Sequence, residues 1–198
     1  MARIRLAQAA DAPTLSAIYA PSIEESCISF ETEVPDPAEV QRRLEAVAPL
    51  APWLVCEVAG RVLGYAYAGR HRDRAAYRWS ADASVYVAAD AQRQGVARAL
   101  YRSLFALLHL QGYRAVHAGI ALPNDASVGL HQALGFRLVG VYPAVGFKLG
   151  RWCDVGWWQL ELAPRVGTPA EPLSTAAARA LAGWGPALAS GEALLRPT

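Results

Sequence analysis

The chain has 198 residues, 54% hydrophobic and 18% charged, which gives one ordinary domain with a sizeable core and excludes a disordered chain. A formal net charge of +2 without any lysine or arginine run offers no footprint for nucleic acid. No segment is apolar for long enough to span a bilayer and no signal-peptide core opens the sequence, so no membrane partner is expected and a cytoplasmic location is the simplest.

Arg3 to Ala7 alternates and predicts an edge strand. Asp11 is placed to N-cap a helix that has Pro13 in its first turn and runs toward Tyr19. Pro21 to Phe30 reads equally as a short helix or a loop. Asp36-Pro37 starts a second helix, with Val40, Leu44, Val47 and Ala48 on one face. Trp53 to Ala59 and Val62 to Ala68 are apolar strands around Gly60-Arg61, a hairpin signal.

Arg70 to Arg78 is a basic loop and Ala81 to Val87 the next strand. Gly95 to Gln111 is the strongest helix, with Ala97, Leu100, Tyr101, Leu104, Leu107 and Leu108 on one face and Gly112 as its stop. A strand from Ala115 to Ile120 follows, then a helix opened by Pro123-Asn124-Asp125 and ended at Gly135. Phe136 to Tyr142 and Trp157 to Leu162 read as strands joined by a long turn. The order predicts a mixed α/β sheet with helices on both faces. Residues 164–198 change to Pro, Gly and Ala with few charges. They are expected to form a C-terminal extension to a domain at 1–163, with short helices at Ser174–Ala182 and Leu188–Leu195 packing loosely on the domain or on a partner subunit.

Cys27, Cys56 and Cys153 have no metal-ligand spacing, and their odd number argues against a disulfide framework. His71, His109 and His117 suggest no partners and no metal site at their spacings. The most telling stretch is Ser84 to Leu100, where a strand, a polar turn and a glycine-punctuated helix start follow one another. A helix N-terminus of this kind holds phosphate oxygens, because its first N–H groups are unpaired and its dipole favours negative charge. Gln92-Arg93-Gln94-Gly95-Val96-Ala97 fits the form Q/R-x-x-G-x-G/A. This segment resembles the pyrophosphate-binding signature of the GNAT acyl-CoA N-acyltransferases.

Further stretches narrow the resemblance. They are Pro52–Val55 with Gly64–Gly69, Leu122–Asp125 with His131–Phe136, and Val145–Trp152 with Asp154–Gly156. Over roughly residues 3–163 the chain is similar to the phosphinothricin N-acetyltransferase family, whose relatives also acetylate methionine sulfoximine and methionine sulfone. The resemblance implies a GNAT fold with a mixed, mostly antiparallel sheet and acetyl-CoA as co-substrate. It also implies a small glutamate-like amino acid as acceptor, and a homodimer.

For the cofactor, the backbone of Val85, Tyr86 and Val87 is expected to meet pantetheine amides, with the two valines on one face and Tyr86 on the other. Gln92, Arg93, Gln94, Gly95, Val96 and Ala97 would cradle the pyrophosphate, with Arg93 and Arg98 adding charge. Asn124 resembles a pantetheine-binding asparagine and is equally an N-cap. For the chemistry, Asp82 lies where the family carries a glutamate base, one methylene shorter. His131 lies where this branch has a histidine in place of a tyrosine proton donor.

For the acceptor, Arg72, Arg74 and Tyr77 suit two anionic or polar heads, although a basic loop of this kind is as readily solvated. Phe30 and Glu31 lie where an early helix and loop close over the substrate, and the Val145–Trp152 turn would complete the pocket. Two readings compete. One is the same chemistry on a polyamine, an aminoglycoside or a protein N-terminus, which Arg72 and Arg74 disfavour. The other is a non-catalytic acyl-CoA-binding module, which the change at Asp82 keeps open.

Overall fold

The computed structural model describes residues 2–195. Seven strands form one sheet: β1 (Ala2–Leu6), β2 (Trp53–Val58), β3 (Arg61–Arg70), β4 (Ser80–Val87), β5 (Ala115–Leu122), β6 (Arg137–Lys148) and β7 (Arg151–Glu161). Their order is β1-β2-β3-β4-β5-β7-β6. Every neighbouring pair is antiparallel except β4 and β5, which run parallel. Helices α1 (Ala12–Glu24) and α2 (Pro37–Val47) share a core with one face of the sheet, built on Leu15, Ile23, Val40, Val55 and Tyr65. The other face packs against α3 (Val96–Gln111) through Leu54, Ala66, Leu100, Leu104 and Val116. The expected mixed α/β sheet with helices on both faces is present.

The helix starts show local chemistry deciding structure. Asp36 caps α2 as its sequence demands, its Oδ1 accepting from Glu39 N at 2.7 Å. Asp11 does not cap α1. Its carboxylate accepts from both Arg5 guanidinium nitrogens at 2.7 and 2.8 Å and from Gln8 N at 2.8 Å. Burial works against the charged form, yet Arg5 and the Gln8 N–H together hold the Asp11 carboxyl below its ordinary range. A bidentate ion pair thus outcompetes a cap. Helix α1 also runs through Pro21 to Glu24, so the ambiguous segment is helix first and loop afterwards.

Two turns differ from expectation. The β2–β3 turn is centred one residue earlier, on Ala59 and Gly60 with φ of 50° and 82°, and Val58 pairs with Arg61. The long turn expected between the last two strands is absent. β6 and β7 continue as one hairpin that closes at Leu149-Gly150, with φ of 49° and 75°. Pro143 sits where the register shifts between Tyr142 and Gly146, and the Ala144 N–H donates to Asp154 Oδ1 at 2.7 Å. A bulge at a sheet edge accommodates a residue with no N–H to give.

The C-terminal segment is fixed closely, contrary to the loose packing expected. Helices α5 (Thr175–Arg179) and α6 (Trp184–Ala189) and a 3-10 turn at Glu192–Leu194 lie along α3 and β1. Ser103 Oγ donates to Leu188 O at 2.6 Å and accepts from Gly191 N at 3.1 Å. Glu192 Oε1 accepts from Ile4 N on the outer edge of β1 at 2.8 Å. Gly191 has no room for a side chain, because a Cβ there would overlap the Ala99 carbonyl oxygen. Gly191→Val is therefore expected to destabilise the fold by about 1–3 kcal/mol, lowering Tm by about 3–10 °C in calorimetry. An unchanged Tm would mean that the segment is dispensable to α3. Among the described residues no helix is long and apolar enough to cross a membrane.

Candidate active site

The single parallel pairing shapes the site. β4 and β5 are bonded only through Ser80–Ala115, Ala81–Val116 and Asp82–His117, and beyond that rung they run on apart to Val87 and Leu122. The resulting fork leads into a cavity of about 440 Å³. Val85, Tyr86, Val87, Gln92, Arg93, Gly95, Val96, Ala97, Arg98 and Asn124 all line it. Gln94 is the exception among the expected cofactor residues, since its amide donates to Asp90 O at 2.9 Å and is exposed.

The alternation along β4 is as expected. Tyr86 packs with Tyr19 and Tyr65 on the α1–α2 side, while Val85 and Val87 join the α3 side. At the mouth of the cavity Gly95 has φ of 87°, and the first bond of α3 is Ala99 N to Gly95 O at 2.9 Å. The N–H groups of Val96, Ala97 and Arg98 therefore have no acceptor within the helix, as an anion at this position requires. Asn124 caps α4 (Asp125–Ala133), accepting from Ser127 N at 3.1 Å, while also lining the cavity. These residues suit an acyl-CoA: extended backbone for its amides, and an unpaired helix start with two arginines for its phosphates.

Deeper in the fork, a small cavity of about 60 Å³ is lined by Ser84, Tyr101, Gly119, Asn124 and His131, among others. His131 is 3% exposed. Its Nδ1 lies 2.7 Å from Ser127 O, so that nitrogen carries the proton, and Nε2 is buried without a hydrogen-bond partner. Burial pushes its pKa down, against the Ser127 carbonyl, which pushes it up. A neutral imidazole with a bare Nε2 accepts protons, and it lacks the proton that a donor to sulfur would give.

Asp82 stands on the last bonded rung of the fork, on the sheet face opposite His131. Its partner was missed from the sequence: His71 Nδ1 lies 2.6 Å from Asp82 Oδ1. The His71 ring stacks on His117, with centroids 4.1 Å apart and planes 19° apart. Burial raises the Asp82 pKa, opposed by the His71 hydrogen bond and the nearby charges of His71 and Arg72. His71, Asp82 and His117 bring their ligand atoms within 4.8 Å of one another, although their spacing suggested no such group. Ring lone pairs lie in the ring planes, so two near-parallel stacked imidazoles aim them side by side and not at one ion.

The structure places the expected acceptor residues in two groups. Arg72, Arg74 and Tyr77 line an open cavity of about 370 Å³ with Arg70 and Tyr113, and Glu171–Ser174 of the C-terminal segment form its far wall. The Arg72 guanidinium lies 5.5 Å over the Trp157 ring and donates to His71 O at 2.7 Å. Glu31 is bound by Arg43 at 2.7 and 3.1 Å and accepts from Tyr19 Oη at 3.0 Å. Phe30 lies against Gly146 of β6, filling the space a side chain there would need. The buried Lys148 ammonium donates to Ser29 O at 2.6 Å and holds the same loop to the hairpin.

Known proteins match this geometry. The acetyltransferase (GNAT) domain family matches residues 4–157. The phosphinothricin N-acetyltransferase of Streptomyces viridochromogenes is 42% identical over 172 residues, which is 86% of this chain and 94% of that protein. An L-methionine sulfoximine/L-methionine sulfone acetyltransferase of Pseudomonas aeruginosa is 36% identical over 85% of this chain and 99% of its own length. Among solved structures, a GNAT phosphinothricin acetyltransferase from Sinorhizobium meliloti in complex with AcCoA superposes with a TM-score of 0.83. It is 34% identical and covers 87% of this chain and 95% of its own. The match spans the fork, the glycine turn and the helix that carries His131, so the chain belongs to the phosphinothricin and methionine sulfoximine N-acetyltransferase family of the GNAT superfamily and works as an acetyl-CoA-dependent N-acetyltransferase.

Proposed function

We propose that the acceptor is a small amino acid with a second anionic or polar head, of the phosphinothricin, methionine sulfoximine or methionine sulfone class, acetylated on its α-amino group. The observation that carries this reading is the arginine-lined cavity at the start of β4, which Ser80 lines two residues before Asp82. Arg70, Arg72 and Arg74 line it with Asp73, while Arg78 is ion-paired with Glu171, which still leaves an excess of positive charge that attracts carboxylate and phosphinate and repels polyamines. Tyr77, Phe30 and Glu31 flank the acceptor in this reading. The relatives act on amino acids of this class by name.

Acetyl-CoA supplies an activated acetyl group as its thioester. Gln92, Arg93, Gly95, Val96, Ala97 and Arg98 hold its phosphates, and Val85–Val87 with Asn124 align its chain. Asp82 provides the negative charge for removing the ammonium proton, since only the neutral amine is a nucleophile. His131, with its bare Nε2 in the deep cavity, receives a hydrogen bond near the reacting end of the thioester. The protein acts in the cytoplasm, where acetyl-CoA is made. It does so as a homodimer joined through the β6–β7 hairpin, whose Val139, Phe147, Leu149 and Trp152 are 58–66% exposed.

A thiol-release assay with acetyl-CoA tests the acceptor class. Turnover is expected on phosphinothricin, methionine sulfoximine and methionine sulfone, and not on spermidine. Turnover on spermidine alone would overturn the arginine cavity as the acceptor site.

A further inference from the structure

His71 follows directly on β3 and is fixed from several sides. Asp82 of β4 binds its Nδ1 at 2.6 Å. His117 of β5 stacks on its face, and Tyr77 and Trp157 meet it edge-on with centroids 5.9 and 6.0 Å away. It still lines an open cavity of about 360 Å³ together with Tyr77, Ser80, His117 and Gln159. An imidazole so placed is oriented like a reacting group and remains accessible. An aspartate also reaches one methylene less far than a glutamate, and the bonded ring extends that reach by its own width.

We infer that His71 is the proton acceptor of the acetyl transfer and that Asp82 acts through it, orienting the ring and stabilising its protonated form. This rests on the reading that an amino group is the acceptor. A carboxylate oxygen accepts and does not donate, so Nδ1, 2.6 Å from Asp82 Oδ1, carries the proton and leaves the lone pair on Nε2. Nε2 takes one proton from the acceptor's ammonium. The freed nitrogen pair forms the bond to the acetyl carbon, and the carbon–sulfur bond breaks with its pair staying on sulfur. The second nitrogen proton passes to that sulfur, giving amide and thiol, and the imidazolium returns its proton to water. A shared metal ion explains the cluster less well. Two ligands at about 2.0–2.1 Å from one zinc ion stand roughly 3.3 Å apart, not the 2.6 Å of the Asp82–His71 contact.

The groups facing His71 are Asp82, His117, Tyr77 and Arg72, with Arg165 near His117. Burial, and then the charge of His71, push the His117 pKa down.

The test is His71→Ala under saturating acetyl-CoA. A fall in kcat of about 10²–10⁴ is expected. Added imidazole should restore the rate in proportion to its concentration. A kcat within threefold of the parent enzyme, or a loss that imidazole does not relieve, would overturn the inference. A second measurement needs neither the variant nor an acceptor. Nitrogen-15 NMR of the intact protein should show neutral His71 protonated at Nδ1 and bare at Nε2, and the reverse tautomer overturns the inference. If the parent enzyme acetylates no amino acid of the panel, the acceptor reading fails and the tautomer alone decides His71.

Discussion

Replacing Asp82 with asparagine is expected to lower kcat by about three orders of magnitude while leaving acetyl-CoA affinity within about threefold. The amide keeps the shape and removes the charge. Its NH2 then donates to His71 Nδ1, which moves the ring proton to Nε2 and leaves no lone pair facing the amine. The pH dependence follows from the same environment. Burial raises the Asp82 pKa and the His71 hydrogen bond opposes it, so the carboxylate takes up a proton at a higher pH than a free aspartate. Activity is present above that point and is lost as pH falls through it. Steady-state kinetics across pH check both statements, and a kcat within tenfold of the parent would remove Asp82 from the proton path.

Gly95→Val should have the second largest effect, and a different kind. Gly95 has φ of 87°, where a side chain costs about 1–2 kcal/mol, and an added Cβ would lie 2.7 Å from the Leu194 carbonyl oxygen. The side chain would also push phosphate oxygens away from the free N–H groups of Val96, Ala97 and Arg98. The expected result is an acetyl-CoA KM raised about 10–100-fold with kcat at saturation nearly kept, which corresponds to roughly 1.4–2.7 kcal/mol of binding. Initial rates against acetyl-CoA concentration measure it. An unchanged KM would show that this turn does not hold the phosphates.

The glycine turn at the start of α3 was legible in the sequence because all its parts are local. Strand, glycine and helix start fall within one continuous stretch, and nearly every residue expected there lines one cavity. The capping of α2 by Asp36 and the stops at Gly112 and Gly135 were legible for the same reason. The β6–β7 hairpin was not. Tyr142-Pro143-Ala144 reads as a turn, and only the Asp154 side chain across the hairpin shows that this is a bulge within a longer strand. The Asp82–His71 pair was hidden too. It joins a loop end to a neighbouring strand through sheet register, and no spacing rule encodes such a meeting. The close fit of the C-terminal segment depends on Gly191 meeting the Ala99 carbonyl, a contact no periodicity signals.

That segment also decides how the sheet meets its own copies. A strand edge with free N–H and C=O groups is a template for another chain, and a molecule with two such edges can add copies without end. Here Glu192 occupies the outward N–H of Ile4 on β1, while β6 at the far side of the sheet stays open with Leu138, Val139 and Val141 exposed. Edge-to-edge pairing is therefore hindered on the β1 side. In the proposed homodimer, a pair joined through β6 would leave its β1 edges outermost, each with the Ile4 N–H already taken by Glu192.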